Sequence, residues 1–343
     1  MLAEAATLAP DEVILDLEDA VAPAEKQAAR AKVAEALAHA WSAPTVAVRV
    51  NAVCTPWWHD DLAVAARAGC VVLPKVESPE QLEAVAALLP PGTSLEAQIE
   101  TARGLVEVER IAAARAPLEA LVFGPGDLAA SLGMPQLAIG SDGGQWHYAL
   151  ARIVTAARAF GLQAIDGPYG RLDDADGLRE SARAAWLLGY DGKWAIHPDQ
   201  IAICTDVFTP APEEVERAER LLAVAGAARV EGELVDEATR RMAESVLRRR
   251  RLDGAGKERR RRLRRRRSGT ARGTVSDYAP RLMDERDPVP PDEEIVPDDA
   301  GDAYVAHATP DIGTARNRRL LLFGVLPIVA IAVVIAIVIV LAR

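Results

Sequence analysis

EVILDL (Glu12–Leu17) is the first of seven short apolar segments that decide the fold, because an Ala-rich helical stretch separates most of them from the next. Strands that alternate with helices in this way are typical of a parallel sheet covered by helices. The six further segments are TVAVRVN (Thr45–Asn51), CVVLPK (Cys70–Lys75), LEAQIE (Leu95–Glu100), EALVFG (Glu119–Gly124), LQAID (Leu162–Asp166) and KWAI (Lys193–Ile196). The pattern predicts an α/β fold.

Polar or charged residues stand at or just beyond the carboxyl end of each predicted strand. In a (β/α)8 TIM barrel these ends form one face of the molecule, and that face holds the active site. Seven such positions in register predict an enzyme. The residues are Asp16, Glu18, Asp19, Arg49, Asn51, Lys75, Glu77, Glu100, Asp127, Asp166 and His197.

The strand count is one short of a closed barrel, which needs eight strands. Met1 opens directly into the helical fragment LAEAATLA, which leads to the strand at Glu12. We therefore expect a TIM barrel that lacks its first strand. A misplaced start site, a truncated gene and an unusual closure of the barrel are the alternative explanations.

Length and composition fit one barrel with an appendage. The chain has 343 residues, half of them hydrophobic, so it can bury a large core. Its three cysteines, Cys54, Cys70 and Cys204, lack metal-ligand spacing, which favours small buried thiols in a reducing cytoplasm. The N-terminus shows no secretory signal pattern. We predict a cytoplasmic catalytic barrel domain over residues 1–209 and a C-terminal helical lid over residues 210–250.

Eight motifs follow one another along the chain: ILDLEDAV (14–21), PAEKQAAR (23–30), VRVN (48–51), LPKVES (73–78), IETARG (99–104), FGPGDLAASLG (123–133), AIDGPY (164–169) and GKWAIHPDQI (192–201). In this order they closely resemble the citrate lyase β-subunit-like branch of the HpcH/HpaI aldolase family, over roughly residues 3 to 250. The resemblance implies a carbon–carbon lyase that cleaves or forms a 3-hydroxyacyl-CoA such as malyl-CoA or citramalyl-CoA. Related thioesterases belong to the same branch, whose members begin with an Arg-containing strand that is absent here.

Two acids on successive strands are the predicted metal ligands. A divalent cation stabilises the charge that develops on a 2-oxo acid, and Mg²⁺ prefers oxygen ligands, with Mn²⁺ as an alternative ion. Glu100 and Asp127 can meet over one ion, and the resemblance implies that they bind both metal and substrate. Glu18 and Asp19 would reach the ion through water. Alternatively, these acids are solvated or cap helices, as Asp127 would in DLAASLG.

Arg49 and Gly126 are predicted to contact the substrate. The guanidinium of Arg49 can pair bidentately with a carboxylate, and the resemblance implies this role. An ion pair of Arg49 with Glu18 or Glu77 is the alternative. Gly126 belongs to the FGPGD loop, where glycine lets a ligand approach the backbone closely.

Three basic residues near the predicted site have less specific roles. Lys75 and Lys193 either contact the phosphates of the thioester or neutralise the acidic ring. His197 precedes Pro198, and a histidine in this position is more often structural than catalytic.

The segment VEGELVDEATRRMAESVL (Val230–Leu247) resembles the C-terminal lid of the family. The resemblance implies that Asp236, in the pattern that begins at Gly232, is the catalytic residue that exchanges the proton at the acetyl carbon. A carboxylate in a closed, dry site suits that task. The resemblance also implies a homo-oligomer, a trimer or hexamer, in which the lid covers a neighbouring subunit. The alternative is that Asp236 only caps a helix.

The chain changes character at Arg248. Thirteen basic residues lie between Arg248 and Arg267, and a polar, Pro- and acid-rich stretch follows. We predict a disordered linker over residues 251–318. The apolar run from Leu320 to Leu341 is long enough to cross a bilayer, so we predict one transmembrane helix over residues 319–342 that anchors a cytoplasmic domain to the membrane.

The arginine-rich tract has three readings. It can bind anionic lipid headgroups beside the membrane, or it can be an incidental solvated tract. It lacks the interleaved aromatic residues and the recognition fold that nucleic-acid binding requires, so we predict no nucleic-acid partner.

Two classes of function remain open from the sequence, an Mg²⁺-dependent CoA-ester lyase and a non-catalytic relative. The second would be an N-terminally truncated, membrane-tethered binding protein. A class II aldolase acting on free 2-oxo acids is a further alternative, because FGPGDLAASLG also resembles that sister branch. The LDLEDAV, VRVN and IHP motifs favour the lyase.

Overall fold

A barrel of parallel strands is the central feature of the computed structural model, which describes residues 10–135, 144–224, 228–230, 233–250 and 336–341, together with residues 6 and 8. Seven strands run parallel in chain order and coincide with the seven predicted segments. They are β1 (Glu12–Asp16), β2 (Thr45–Arg49), β3 (Cys70–Leu73), β4 (Ser94–Ile99), β5 (Leu118–Phe123), β6 (Gln163–Asp166) and β7 (Gly192–Ala195).

Helices connect these strands and continue beyond them. Several begin at a proline, whose missing N–H needs no partner in the first turn. They comprise Lys26–Ala36, Trp58–Ala65, Pro79–Ala86, Ala102–Val106, Val108–Ala112, Pro125–Ser131, His147–Ala159, Ala175–Leu188, Pro198–Phe208, Pro212–Ala223 and a helix over residues 237–250, with 3₁₀ turns at Pro23–Glu25 and Gly144–Trp146.

The strands are buried on both faces, which explains why they read as continuous apolar runs. Their inward side chains fill the barrel with a small core, and their outward side chains pack under the helices in a larger one. The inner core consists of Ile14, Ala47, Cys70, Val72, Ala120, Val122, Ile165 and Trp194. A filled barrel leaves only its two ends available for chemistry.

The eighth strand of the barrel comes from the C-terminal end of the chain. It is β10 (Ala336–Leu341), the tenth strand in chain order, and it closes the barrel. It pairs antiparallel with β1 and with β7; Glu12 lies opposite Ile339, and Ala195 lies opposite Val338. The prediction of a membrane helix is therefore wrong for these six residues. AIVIVL is rich in β-branched residues, and it satisfies two strand edges that would otherwise be open.

The rest of the predicted tail lies outside the described residues, including the linker and positions 319–335 and 342. The same holds for most of the predicted N-terminal helical fragment and for Gly232. Within the described part of the chain, no helix is both long and apolar enough to cross a membrane. Between Pro212–Ala223 and the helix over 237–250, the predicted lid contains an antiparallel pair of strands, β8 (Ala228–Val230) and β9 (Glu233–Val235).

Candidate active site

The carboxyl ends of β1 to β5 bring five of the predicted site residues to one rim of the barrel. Arg49 ends β2, Glu100 directly follows β4, and Asp127 lies in the first turn of the helix after β5. Glu18 and Asp19 come from the loop after β1. We call Glu18, Asp19, Glu100 and Asp127 the rim carboxylates.

The loop after β1 is held in place by its own hydrogen bonds. The buried Asp16 accepts the backbone N–H of Glu18 at 2.9 Å. Lys26 donates from Nζ to the carbonyl oxygens of Leu17 at 2.8 Å and Glu18 at 2.7 Å, and Asn51 donates to the Leu17 carbonyl at 2.9 Å. This loop therefore presents the Glu18 side chain on a fixed backbone.

Arg49 uses most of its guanidinium on protein carboxylates. Its Nε and Nη2 donate to the two oxygens of Asp16 at 2.8 and 2.7 Å, and its Nη1 lies 3.2 Å from Glu18 Oε2 and 3.4 Å from Gln98 Oε1. Burial opposes the charge, but Asp16 and then Glu18 outweigh it and raise the pKa of Arg49 above its ordinary value. Arg49 therefore forms the ion pair with Glu18 that was the predicted alternative to substrate binding, and Asp16 is its bidentate partner.

Glu100 is buried and accepts two hydrogen bonds. Oε1 accepts the backbone N–H of Lys75 at 2.8 Å, and Oε2 accepts from Gln98 Nε2 at 2.5 Å. Burial, followed by repulsion from Glu18, raises the pKa of Glu100 to about 8. A cation beside such a buried carboxyl group stabilises its ionised form.

Glycine at position 124 permits the close packing of Glu100 against the next strand. A Cβ built on Gly124 would stand 2.3 Å from Glu100 Oε2, which no real side chain tolerates. The helix Pro125–Ser131 starts there, so Gly126 and Asp127 occupy its first turn. The N–H groups of a first turn have no acceptor within the helix, and those of Gly126 and Asp127 are thus suited to meet an anionic ligand.

Lys75 links the rim carboxylates to one another. Its ammonium donates to Glu18, and it lies 3.4 Å from Asp19 Oδ2 and 3.1 Å from Asp127 Oδ2. Burial opposes its charge, but Glu18 outweighs burial and raises the pKa of Lys75. The ammonium thus marks a cation position among three carboxylates, while the backbone N–H of the same residue holds the fourth.

The donor set at this position suits a hard divalent cation. All four side chains offer carboxylate oxygens, the ligands that Mg²⁺ prefers. The buried Oε2 of Glu18 has no hydrogen-bond partner, since its contact with Arg49 lacks hydrogen-bond geometry. Burial raises the pKa of Glu18, against the opposing effects of Arg49 and Lys75. The residues therefore fit the metal that the sequence predicts.

A cavity of about 360 Å³ opens beside the rim carboxylates. Glu18, Asp19 and Lys75 line one end of it, and Lys26, Cys54 and Trp57 line another part. Lys26 Nζ stands 5.2 Å from the centre of the Trp57 ring. A ligand in this cavity meets acids, a lysine and an aromatic surface together.

The structure does not bring Asp236 into the rim cluster. Asp236 accepts the backbone N–H of Thr239 at 2.9 Å and its hydroxyl at 3.0 Å, as the residue before the helix over 237–250. These hydrogen bonds lower the pKa of Asp236. Among the described residues, no hydrogen bond or ion pair joins Asp236 to Glu100 or Asp127. The capping role is thus observed within one chain.

Two other predicted residues have structural partners. The Nδ1 of His197 accepts the backbone N–H of Asp199 at 3.3 Å, so His197 caps the helix Pro198–Phe208. Lys193 is buried and donates to Asp166 at 2.5 Å and to the carbonyl of Gly167 at 2.8 Å. These contacts fix the strand ends of β6 and β7.

Sequence reasoning missed Gln98, Lys26 and the pairing of Asp16 with Arg49. Gln98 was detectable, because it stands two residues before Glu100 and side chains two apart share one face of a strand. Lys26 lies inside the quoted motif PAEKQAAR, but only the fold shows that it holds the loop after β1.

Comparisons with known proteins agree with this fold. The model of the HpcH/HpaI aldolase/citrate lyase family matches residues 1–198. The L-malyl-CoA/beta-methylmalyl-CoA lyase of Cereibacter sphaeroides is 37% identical over 287 residues, covering 73% of this chain and 90% of the relative. The (3S)-malyl-CoA thioesterase of the same organism is 39% identical over 246 residues, covering 68% of this chain and 85% of that protein.

A solved structure is similar as well. It is CitE from Mycobacterium tuberculosis in complex with magnesium, acetoacetate and coenzyme A, with a TM-score of 0.61 and 36% identity, covering 69% of this chain and 88% of that chain. The parallel α/β barrel and its rim of carboxylates place the chain in the class of barrel enzymes. Within that class, the chain belongs to the HpcH/HpaI aldolase/citrate lyase family and is a lyase of that superfamily.

Proposed function

We propose that this chain is an Mg²⁺-dependent CoA-ester lyase that cleaves or forms a 3-hydroxyacyl-CoA such as malyl-CoA or citramalyl-CoA. The observation that carries the proposal is the cation position at the Lys75 ammonium, which contacts Glu18, Asp19 and Asp127 beside a cavity, while the backbone N–H of Lys75 holds Glu100. Relatives named for malyl-CoA and a structural neighbour with magnesium and coenzyme A support the substrate class and the metal.

Glu100 and Asp127 would hold the divalent ion, with Glu18 and Asp19 reaching it through water. When bound, the ion supplies charge stabilisation for the carboxylate and adjacent oxygen of the 2-oxo acid. Arg49 Nη1, which Asp16 does not use, is placed to orient the carboxylate of the substrate. The first-turn N–H groups at Gly126 and Asp127 would donate to the same product.

Cleavage removes the proton of the 3-hydroxyl group, breaks the bond between C2 and C3, and leaves a 2-oxo acid and the enolate of acetyl-CoA. The enolate then takes a proton at carbon. In the direction of condensation a carboxylate removes that proton, and we assign this task to Asp236. We propose that Asp236 acts on the rim of a neighbouring subunit in a homo-oligomer, as the family resemblance implies; within the described residues its hydrogen bonds go to Thr239.

Turnover of the two thioesters by the purified full chain tests the proposal. Malyl-CoA should yield acetyl-CoA and glyoxylate, and citramalyl-CoA should yield acetyl-CoA and pyruvate, in the presence of Mg²⁺ and not with a chelator. Chromatography with mass detection identifies acetyl-CoA, glyoxylate and pyruvate. Folded protein that releases none of them with Mg²⁺ would overturn the proposal.

Thioester hydrolysis is a second candidate, favoured by the 39% identity to a malyl-CoA thioesterase. The same assay separates the two reactions. Hydrolysis would release free coenzyme A and malate, whereas carbon–carbon cleavage releases acetyl-CoA.

Mixed oligomers test the role of Asp236. Asp236→Asn and Glu100→Gln each remove one half of the proposed site. If the two halves come from different subunits, the mixed and reassembled variants should be active where each variant alone is not. Activity that stays absent in the reassembled mixture would place Asp236 and Glu100 of one site in the same subunit, and full activity of Asp236→Asn alone would place Asp236 outside the reaction.

A further inference from the structure

Lys75 has an unusual position at the rim, because two of its groups contact the predicted metal ligands. Its backbone N–H donates to Glu100 Oε1 at 2.8 Å. Its ammonium lies 3.1 Å from Asp127 Oδ2 and also contacts Glu18 and Asp19. One residue therefore touches every carboxylate expected around the ion.

The backbone at Lys75 is in the left-handed region. Its φ is 53°, and no other non-glycine residue of the described part of the chain has a positive φ. Glycine adopts this conformation without a steric penalty, and a lysine there is disfavoured. A lysine that persists in a glycine conformation indicates that its side chain is used.

The contact of Lys75 with Glu18 is not an ordinary surface ion pair. The side chain of Lys75 is 28% exposed and that of Glu18 is 5% exposed, so water screens the pair only partly. The carboxylates of Glu18, Asp19 and Asp127 repel one another, and the ammonium is the cation between them. A divalent ion bound by the same oxygens would compete with it for that position.

We propose that Lys75 is the resident counter-cation of the rim carboxylates, which holds them together in the metal-free enzyme and leaves their centre when the divalent ion binds. Lys75 is in this sense a positioning residue that sets the affinity for the metal. The inference rests on the proposed metal site.

The test compares Lys75→Met and Lys75→Gly with the natural full chain. Both changes remove the competing charge, and glycine also relieves the backbone at φ 53°. Calorimetry with Mg²⁺ and electron paramagnetic resonance with Mn²⁺ should show binding about tenfold tighter in both variants. In a chelator, Lys75→Met should melt about 3 °C lower, because its carboxylates repel one another without a cation. Lys75→Gly should melt above Lys75→Met.

Lys26→Met is the matched control. Lys26 is a lysine of the same cavity, but it donates to the backbone oxygens of Leu17 and Glu18 and not to the rim carboxylates. This change should not tighten metal binding. Equal or weaker metal affinity in both Lys75 variants would overturn the inference.

Failure of the metal proposal gives a different result. If the natural chain binds neither Mg²⁺ nor Mn²⁺, the metal part of the proposed function fails. The proposed displacement of the Lys75 ammonium by the metal ion then fails as well. If the natural chain binds the ion and turns over substrate while the variants bind no more tightly, only the role of Lys75 fails.

Discussion

The two ends of the barrel carry similar residues with different surroundings. At the rim, Glu100 stands among other carboxylates with the Lys75 ammonium and a cavity beside them. At the opposite end, Glu12, Cys70 and Glu96 place their oxygen and sulfur atoms within 4.8 Å of one another, all buried. Glu96 lies in β4 and Glu100 directly follows that strand, on the same face. One strand therefore supplies an acid to each end of the barrel.

Access and the Lys75 ammonium distinguish the rim from this buried end. The rim opens to a cavity of about 360 Å³, and the partly exposed side chain of Lys75 balances its charge. At the other end burial, followed by Glu96 and Glu12, raises the pKa of the Cys70 thiol well above its ordinary value, which keeps it neutral. An acid in a barrel therefore becomes reactive through its neighbours and its exposure.

Replacing Glu100 with glutamine should have the largest effect and tests the comparison directly. The variant loses one predicted metal ligand, so we expect kcat to fall on the order of 10³-fold. Glu96→Gln makes the same change on the same strand at the opposite end and should retain turnover. Steady-state kinetics with malyl-CoA measure both, and equal losses in the two variants would contradict the functional difference between the ends.

Replacing Val338 with proline should weaken the closure of the barrel. Val338 lies opposite Val13 of β1 and Ala195 of β7, and proline cannot donate a hydrogen bond to either neighbour. We expect the free energy of unfolding to fall by about 3 kcal/mol, as measured by chemical denaturation.

Val338→Ile serves as the control, because it keeps the backbone N–H that proline lacks. It should leave stability nearly unchanged if the loss of strand pairing is what destabilises Val338→Pro. Fractionation of the full chain with membranes, together with unchanged stability of Val338→Pro, would instead support the predicted anchor.

The sequence predicted the seven parallel strands because each has its own local pattern and lies near its partner along the chain. It also predicted that Glu100 and Asp127 lie at one rim, because they follow neighbouring strands. The family match over residues 1–198 confirms the predicted resemblance to the HpcH/HpaI aldolase family. The roles of these two residues in metal binding stay predictions.

β10 was beyond reach because its composition suits two environments. AIVIVL is equally apolar in a membrane helix and in a doubly buried strand. Only the pairing of Glu12 with Ile339, near opposite ends of the chain, distinguishes them. For Lys75 the sequence left two roles open, contact with phosphates and neutralisation of the acidic ring, because a lysine after a strand does not reveal which carboxylates surround it.

The raised pKa of Glu100 predicts a pH dependence of stability in the metal-free protein. The folded state keeps a proton on Glu100 up to about pH 8, whereas the unfolded chain loses it near the ordinary value of about 4.3. The folded state therefore binds more protons in this window, and a rise in pH through it lowers the free energy of unfolding. We expect this contribution to amount to roughly 1–3 kcal/mol.

Urea unfolding at several pH values in a chelator measures this contribution as the difference between the natural chain and Glu100→Gln. The slope should be present in the first and absent in the second. A difference that does not change between pH 5 and 8 would show that Glu100 is already ionised in the folded protein.

The cysteines distinguish the two ends with the smallest expected effect. Cys54 is exposed and lines the cavity, whereas Cys70 is buried at the far end. An alkylating reagent should modify Cys54 first and reach Cys70 only on unfolding, because a buried neutral thiol is a poor nucleophile. Bound malyl-CoA should slow the modification of Cys54 roughly threefold if the thioester occupies this cavity. Peptide mapping by mass spectrometry reads both sites, and early modification of Cys70 in folded protein would mean that the far end is open.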